Sequence, residues 1–220
     1  MKTIIVAAGM GVSLDGANRL SLVVGPDGNT VFDRLRKQFG DDLIIVVGYR
    51  AADVISSTYT AKHVLNPFWH ETGSAYSAFL GLDALDNTAQ NEQICIIPSD
   101  LIFSDMAVEQ FKVNRASTIF GIQTEFRHPE SANLALENDV VKSVYMGHVR
   151  NISDPLYRGP IIFDAEHLYE IKELCRNNSD VSVVEAVLKC KQDFRFGVLS
   201  KSDVFEINSV VDYLTAKESL

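Results

Sequence analysis

The sequence has few of the residues that mark several large protein classes. It contains 3 cysteines in 220 residues, Cys95, Cys175 and Cys190, and no two of them have the spacing of a metal-ligand pair. We interpret them as thiols of a reducing compartment rather than as a disulfide framework. Low-complexity segments and linkers rich in Pro, Gly and Ser are also lacking. Their lack argues against disorder and against a division into several domains.

Basic clusters and long apolar runs are lacking as well. The formal net charge is −9, and no cluster of five or more Lys and Arg residues occurs. General nucleic-acid binding depends on Lys and Arg to neutralise phosphates, so we expect no nucleic-acid partner. No segment approaches the roughly 18 apolar residues of a membrane span, and the apolar N-terminus stops too early for a signal peptide. We expect a cytoplasmic protein without a membrane partner.

Buried strands and amphipathic helices alternate in the first hundred residues. Residues 3–8, 43–47 and 93–98 are apolar runs rich in β-branched residues, which is typical of strands covered on both faces. Residues 30–39 and 74–86 place their apolar side chains on one helical face. This order predicts right-handed crossovers and an α/β fold with a mixed, mainly parallel central sheet.

A loop with two glycines follows the first predicted strand. Its residues are Ala7, Ala8, Gly9, Met10 and Gly11. Glycines let the backbone approach a ligand closely, and turn amides that point inward form a nest for phosphate oxygens. A dinucleotide-binding fingerprint needs a third glycine at position 14, where the chain has leucine, and the lysine pattern of a P-loop is absent. The loop predicts a nucleotide-phosphate site of another kind, with an ordinary turn as the alternative.

Two further polar segments lie where an open α/β sheet binds its ligands. Thr72 and Ser74 offer hydroxyls beside the free amides of a predicted helix N-terminus, where N-capping alone is the alternative. Asp100 follows the fourth predicted strand, at its carboxyl end. A loop or helix-capping carboxylate is the alternative for Asp100.

Four segments in this order resemble the signature of the nucleotidyltransferases with a GT-A-like fold. That family includes sugar-phosphate, phosphocholine, phosphonate and molybdenum-cofactor transferases. The segments are residues 6–22, 66–78, 96–103 and 204–214. The resemblance implies a Rossmann-like, three-layer α/β/α fold of the nucleotide-diphospho-sugar transferase type. It also implies one domain over residues 1–220, with an irregular β region on the acceptor side at about 123–158.

The first segment implies the site of the triphosphate. The resemblance assigns nucleotide binding to residues 7–11 and Ser13, and catalysis to Arg19. Ser13 stands where the family has arginine, and Arg19, six residues on, stands where it has lysine. The guanidinium of Arg19 can hold phosphate through its fork of donors, whereas Ser13 offers one hydroxyl. One positive charge of the family pattern is missing.

The second segment implies the nucleotide. This segment is most similar to that of the choline-phosphate and phosphonate cytidylyltransferases, which have Asn-Pro early in the loop, here at residues 66–67, and a serine at the position of Ser77. The resemblance therefore implies CTP and a nucleotide-binding set of Thr72, Gly73, Ser74 and Ser77.

The third and fourth segments imply a Mg²⁺ site. Asp100 resembles the family's first metal-binding aspartate and is assigned a catalytic role. Asn208 stands in place of the second aspartate, and Glu206, two positions away, is an alternative ligand.

The resemblance implies transfer of a nucleoside monophosphate, with CTP favoured as donor, to a small phosphorylated or phosphonate acceptor such as a sugar phosphate or phosphocholine. Pyrophosphate is released. Lys142, Arg150 and Arg158 are candidates for holding the acceptor phosphate.

The residues at positions 13, 19 and 208 favour an alternative, a nucleotide-binding homologue with a regulatory or scaffolding role. A glycosyltransferase-like protein is a third hypothesis. It would need a second acidic residue near Asp100, and the sequence has no Asp-x-Asp motif there. The acceptor, the pathway and the oligomeric state do not follow from the sequence, and a homodimer is left open.

Overall fold

The computed structural model describes residues 1–11, 14–85, 92–125, 131–148 and 150–220. Its strands are β1 (Lys2–Ala7), β2 (Leu43–Val47), β3 (Lys62–Leu65), β4 (Gln93–Pro98), β5 (Leu101–Phe103), β6 (Thr118–Ile122), β7 (Ala132–Glu137), β8 (Val140–Met146), β9 (Leu156–Asp164), β10 (Arg195–Leu199) and β11 (Val204–Glu206). Its α-helices are α1 (Val31–Phe39), α2 (Ala51–Ser57), α3 (Ser74–Asp83), α4 (Asp105–Val113), α5 (Leu168–Asn177), α6 (Val183–Val187) and α7 (Val210–Ser219). Short 3-10 helices cover Arg19–Ser21, Ala165–His167 and Lys201–Asp203.

The larger of two sheets is mixed. Its strand order is β3-β2-β1-β4-β9-β6-β10-β8-β7. Strands β3, β2, β1 and β4 are parallel, as the sequence predicts, and β6 is parallel to β10. Strand β9 runs antiparallel between β4 and β6, and β7 and β8 form an antiparallel pair at one edge. The expectation of a mainly parallel sheet therefore holds for the N-terminal half, whereas the sheet as a whole is mixed.

Helices pack on both faces of this sheet. Successive residues of a strand point to opposite faces, and Ile5 and Ile4 of β1 accordingly belong to different hydrophobic clusters. The cluster of Ile5 includes residues of α1, α2, α4 and α7, and the cluster of Ile4 includes residues of α3, α5 and α6. Burial on both faces explains why the central strands are continuous apolar runs. None of the helices in the described residues has both the length and the apolar character that crossing a bilayer needs.

A second, two-stranded sheet joins the C-terminal segment to the end of β4. Strand β11 pairs antiparallel with β5, with Glu206 opposite Leu101. The amide of Ile207 then donates to the carbonyl of Asp100 at 2.8 Å. These contacts bring the residues that follow β11 beside Asp100.

The direction of β9 determines which side chains meet at the carboxyl end of β4. Because β9 is antiparallel to β4, its N-terminal residues lie at the edge where β4 ends. Ile96 of β4 pairs with Ile161 of β9. Four residues further toward this edge, the chain that leaves β4 reaches Asp100, and β9 has Tyr157. The sheet therefore places Tyr157 and its neighbour Arg158 at the same edge as Asp100.

Phe111 of α4 tests the packing of one face. It is fully buried, and its ring centroid lies 5.2 Å from that of Phe103 and 4.8 Å from that of Phe120. We expect Phe111→Ala to lower the free energy of unfolding by about 3–5 kcal/mol, because the core keeps a cavity. The control is Tyr59→Ala at an exposed position, with a change within about 0.5 kcal/mol. Urea unfolding measures both, and equal losses would contradict the central position of Phe111.

Candidate active site

A cavity of about 790 Å³ opens at the carboxyl ends of β1 and β4. Its volume is in the range of sites that enclose a small organic ligand. Its lining includes Gly9, Arg19, Ser99 and Asp100, together with Tyr145, Tyr157 and residues 180–185. The predicted phosphate loop and the predicted metal carboxylate therefore border the same space.

The start of the loop after β1 is fixed by the sheet. Ala7 ends β1, and Ala8 is buried, with its carbonyl accepting a hydrogen bond from the amide of Tyr49 at 2.9 Å. Met10 is exposed. Ala7 and Met10 line a smaller cavity of about 30 Å³ beside the loop. Ser13 lies outside the described residues.

The two glycines of the loop serve different purposes. Apart from Gly9 and its two neighbours, no atom of the described residues lies within 4 Å of the place where a Cβ on Gly9 would be, so this backbone leaves room for a ligand. Gly11 has φ +59°, in the left-handed region. A Cβ there would lie 2.8 Å from a guanidinium nitrogen of Arg19. The lack of a side chain at Gly11 allows Arg19 to pack under the loop.

Arg19 is held in place from two directions. It begins a 3-10 helix whose cap, Asn18, accepts a hydrogen bond from the amide of Leu20 at 3.1 Å. The Nε of Arg19 donates to the carbonyl of Ile207 at 2.8 Å. Its side chain also lines the cavity, close enough to Asp100 for its charge to lower the pKa of that carboxyl. The structure therefore brings Arg19, the loop and Asp100 together.

Asp100 is a half-buried residue whose carboxyl has opposing influences on its ionisation. Burial raises the pKa of Asp100, and this is the largest effect. The charge of Arg19, a hydrogen bond from the backbone amide of Asp100 and the charge of Arg158 act in the opposite direction. A carboxyl that is desolvated yet faces guanidinium groups in a cavity is typical of a functional site.

Glu206 lies near Asp100, and Asn208 lies beside Glu206. The guanidinium of Arg158 lies 2.6 Å from Oε2 of Glu206, and both side chains are less than a third exposed. Burial raises the pKa of Glu206, the charge of Arg158 lowers it, and the charge of Asp100 raises it again. The side chain of Asn208 also hydrogen-bonds to Glu206. Two carboxylates are thus close enough to repel each other.

This donor set fits a hard divalent cation. Two carboxylates and an amide oxygen, from Asp100, Glu206 and Asn208, are the kinds of ligand that Mg²⁺ takes from proteins. Because the charge of Asp100 raises the pKa of Glu206, a cation between them would relieve their repulsion. Arg158 already supplies one positive charge to Glu206.

The predicted nucleotide-binding hydroxyls divide into two groups. Ser74 lines the cavity, and its Oγ accepts a hydrogen bond from the amide of Val183 at 2.8 Å. Ser77 is buried and bonds to Asn66 at 3.0 Å, and Asn66 also donates to Oγ1 of Thr72 at 3.2 Å. Thr72 and Ser77 belong to this internal network and are not among the residues that line the cavity.

Gly73 is required by close packing. It is the N-cap of α3 and makes no side-chain capping bond, so neither Thr72 nor Ser74 is the N-cap. A Cβ on Gly73 would lie 2.1 Å from the carbonyl oxygen of Val181. Its amide donates to the carbonyl of Ser179 at 2.8 Å. The glycine lets the start of α3 contact the segment that leads into α6.

The three basic candidates for the acceptor phosphate have different surroundings. Lys142 pairs with Asp193 on the exposed surface at 3.2 Å. Arg150 places its guanidinium 4.4 Å from the ring centroid of Tyr145, which lines the cavity. Arg158 pairs with Glu206.

Sequence reasoning missed Tyr157 and Tyr145. The hydroxyl of Tyr157 is buried without a hydrogen-bond partner among the described residues, and burial followed by the charge of Asp100 raises its pKa. The hydroxyl of Tyr145 donates to Asp154 at 2.6 Å. The one signal for Tyr157 was a polar Tyr-Arg pair directly before the apolar run at residues 159–163.

Asp100→Asn tests the electrostatics of the site through stability. A carboxyl whose pKa is raised by folding binds its proton more tightly in the folded state, so its charged form lowers stability as pH rises above the ordinary value of 3.8. We expect Asp100→Asn to raise the free energy of unfolding at pH 7, with a gain that shrinks as pH falls toward that value.

Urea unfolding at several pH values measures this gain. The control is Asp41→Asn, an exposed carboxylate paired with Arg36, which should bring no gain at any pH. A loss of stability at pH 7 in Asp100→Asn would contradict a raised pKa of Asp100 in the folded chain.

Comparisons with known proteins bear on the fold of the chain. No protein-family model and no curated protein sequence matches the chain. Among solved structures, the CTP:phosphocholine cytidylyltransferase of Streptococcus pneumoniae superposes with a TM-score of 0.72 at 21% identity, over 99% of this chain and 97% of that one. The inositol-1-phosphate CTP transferase of T. maritima gives 0.74 at 15%, over 99% and 95%. A UDP-glucose pyrophosphorylase gives 0.70 at 13%, over 99% and 97%. The chain therefore has the mixed α/β fold of these nucleotidyltransferases.

Proposed function

We propose that the chain is a nucleotidyltransferase. It transfers a nucleoside monophosphate, with CTP favoured as donor, to a small phosphorylated or phosphonate acceptor and releases pyrophosphate. The observation that carries the proposal is that the loop after β1, Arg19 and Asp100 border one cavity at the carboxyl ends of parallel strands. The fold shared with solved nucleotidyltransferases supports the reaction class. Residues 1–220 form one Rossmann-like, three-layer domain in this proposal.

The triphosphate lies along the loop in this proposal. The amides of residues 9–11 and the guanidinium of Arg19 face its β- and γ-phosphates, where charge-assisted hydrogen bonds are strongest. Arg19 keeps its orientation because its Nε is already bonded to the carbonyl of Ile207. A guanidinium that is already oriented can meet phosphate oxygens without a large loss of side-chain freedom.

The reaction is an in-line displacement at the α-phosphorus. An oxygen of the acceptor phosphate forms a new bond to that phosphorus, and the bond to the bridging oxygen of the β-phosphate breaks. A phosphate monoester has a second pKa of about 6, so the attacking oxygen is deprotonated at neutral pH. It therefore needs no general base. Mg²⁺, held by Asp100 with Glu206 or Asn208, would neutralise charge on the reacting phosphates. The residues of the chain position the reactants and balance their charge.

The other residues that line the cavity favour an acceptor without a second negative charge. They include the apolar side chains of Val144, Met146 and Val184. The acidic residues Asp180 and Glu185 also line the cavity. An acceptor whose end remote from the phosphate is neutral or cationic suits these walls. Phosphocholine, aminoethylphosphonate and sugar phosphates all meet that condition.

A pyrophosphate-release assay tests the proposal. Each of the four common nucleoside triphosphates is combined with phosphocholine, aminoethylphosphonate or a sugar 1-phosphate, with and without Mg²⁺. We expect release that requires both Mg²⁺ and an acceptor, is fastest with CTP, and falls at least about 100-fold in Asp100→Asn, as for the loss of one charge-stabilising group. The control is Asp41→Asn. It should keep the activity, because Asp41 lies just before the start of β2 and the cavity lies at the carboxyl ends of the parallel strands.

The alternative function makes a different prediction in the same experiment. The residues at positions 13, 19 and 208 favour a nucleotide-binding homologue. Nucleotide binding by calorimetry, without release from any mixture, would overturn transfer and support that homologue. The absence of both binding and release would contradict both functions.

Tyr157→Phe tests the acceptor side. The Tyr157 hydroxyl is buried beside Asp100 and lacks a partner among the described residues, so we propose that it donates to the acceptor phosphate. A hydrogen bond to a charged group is worth about 1.5–3 kcal/mol, and we expect the KM for the acceptor to rise about tenfold or more. The KM for the nucleotide stays the same, and the free energy of unfolding does not fall.

Steady-state kinetics and urea unfolding of the Tyr157→Phe variant distinguish the two roles of the hydroxyl. A loss of stability with an unchanged KM for the acceptor would show a purely structural group.

A further inference from the structure

A second group of metal-ligating side chains lies apart from the cavity. The ligand atoms of His167, Glu170 and Cys190 all lie within 4.8 Å of one another. Over the described ranges of the chain, no other group of three His, Cys, Asp or Glu side chains is this close. None of the three residues lines the cavity, so the group is separate from the proposed transferase site.

The three side chains are held by two packed helices. His167 ends a 3-10 helix and is the N-cap of α5, and Glu170 lies in the first turn of α5. A spacing of three residues places their side chains on the same face of the helix. Cys190 lies in the turn after α6, where its amide donates to the carbonyl of Val187 at 3.0 Å. Val187 and Ile171 of α5 belong to one buried cluster, which keeps the two helices together.

Existing contacts orient the ligand atoms. The thiol of Cys190 hydrogen-bonds to the carboxylate of Glu170, which also accepts from the amide of Lys191 at 3.1 Å. Nε2 of His167 lies 3.3 Å from a carboxylate oxygen of Glu166. A carboxylate on the imidazole is the usual outer partner of a metal-binding histidine. The Lys191 side chain, also near Glu170, is exposed, so solvent and salt screen its charge.

The ligand types select the metal. One imidazole nitrogen, one carboxylate oxygen and one sulfur form a set typical of Zn²⁺, whereas Mg²⁺ and Ca²⁺ take oxygen ligands. All three residues are partly exposed, so an ion can reach them. We propose that His167, Glu170 and Cys190 bind Zn²⁺, with a water in the fourth tetrahedral position. On binding, the thiol of Cys190 releases its proton to solvent and the thiolate forms the bond to zinc.

Zinc at this position would join the end of α6 to the start of α5. Residues at the other end of α6, Val183, Val184 and Glu185, line the cavity. An ion that binds the folded chain alone raises its stability. At a free zinc concentration of about 100 times the dissociation constant, we expect the Tm to rise by about 5–10 °C.

Titration of the purified chain with Co²⁺ and Zn²⁺ tests the proposal. Co²⁺ reports a bound thiolate through a charge-transfer absorption in the near ultraviolet, and Zn²⁺ displaces it. We expect one equivalent of metal, a charge-transfer band that is lost in Cys190→Ser, and affinity at least tenfold lower in His167→Gln and Glu170→Gln. His70→Gln is the matched control, because His70 lies 3.2 Å from Glu71 in an exposed His–Glu pair. It should bind metal as the parent chain does.

Three results would overturn the zinc site. They are no stoichiometric binding, a charge-transfer band that persists in Cys190→Ser, or equal weakening in the His70→Gln control. Circular dichroism of each variant shows that it is folded before titration. The measurement does not use nucleotidyl transfer, so a negative result here leaves the proposed function untouched and the reverse also holds.

Discussion

The attraction between the partly desolvated Asp100 carboxyl and the charge of Arg19 is the interaction on which the candidate site depends. A carboxylate that leaves water needs opposite charge and hydrogen bonds to remain ionised. Arg19 supplies charge, and its Nε bonds to the carbonyl of Ile207, whose amide in turn bonds to the carbonyl of Asp100. The N-terminal loop, the end of β4 and the C-terminal segment are therefore joined at one point. A phosphate ligand would enter a place where the charges are already arranged.

The antiparallel strand β9 supplies the other half of the site. A parallel strand in its place would carry its N-terminal residues to the opposite edge of the sheet. Since β9 begins at the edge where β4 ends, Tyr157 and Arg158 reach Asp100 and Glu206. The site thus combines a carboxyl edge of parallel strands, where α/β proteins bind ligands, with side chains from a strand of opposite direction. The carboxylates of Asp100 and Glu206 repel each other, which lowers the stability of the folded chain.

Much of the fold could be predicted from local sequence. Helix α1 begins where Thr30 forms a capping box with Asp33, and the central strands are apolar runs because both faces are covered. The position of Asp100 after a buried strand was enough to place it at the carboxyl ends of the parallel strands. These features are encoded within a few residues of one another.

Features that depend on distant partners could not be predicted in this way. Strands β5 and β11 have three residues each and form because they pair with each other. An apolar run such as β9 has no sequence signal for its direction. The hydroxyl of Ser77 accepts a hydrogen bond from Asn66 in the interior, a contact that its own neighbours in the sequence do not indicate. The pairing of Arg158 with Glu206 joins residues that are far apart in the chain.

Nucleotide binding in this cavity can be observed in a crystal structure of the chain with Mg²⁺ and a CTP analogue that cannot be cleaved between the α- and β-phosphates. We expect β- and γ-phosphate oxygens on the amides of residues 9–11 and on the guanidinium of Arg19, and Asp100 among the residues that hold the metal ion. A nucleotide bound outside this cavity, or bound within it with its phosphates turned away from Arg19 and Asp100, would contradict nucleotidyl transfer at this site.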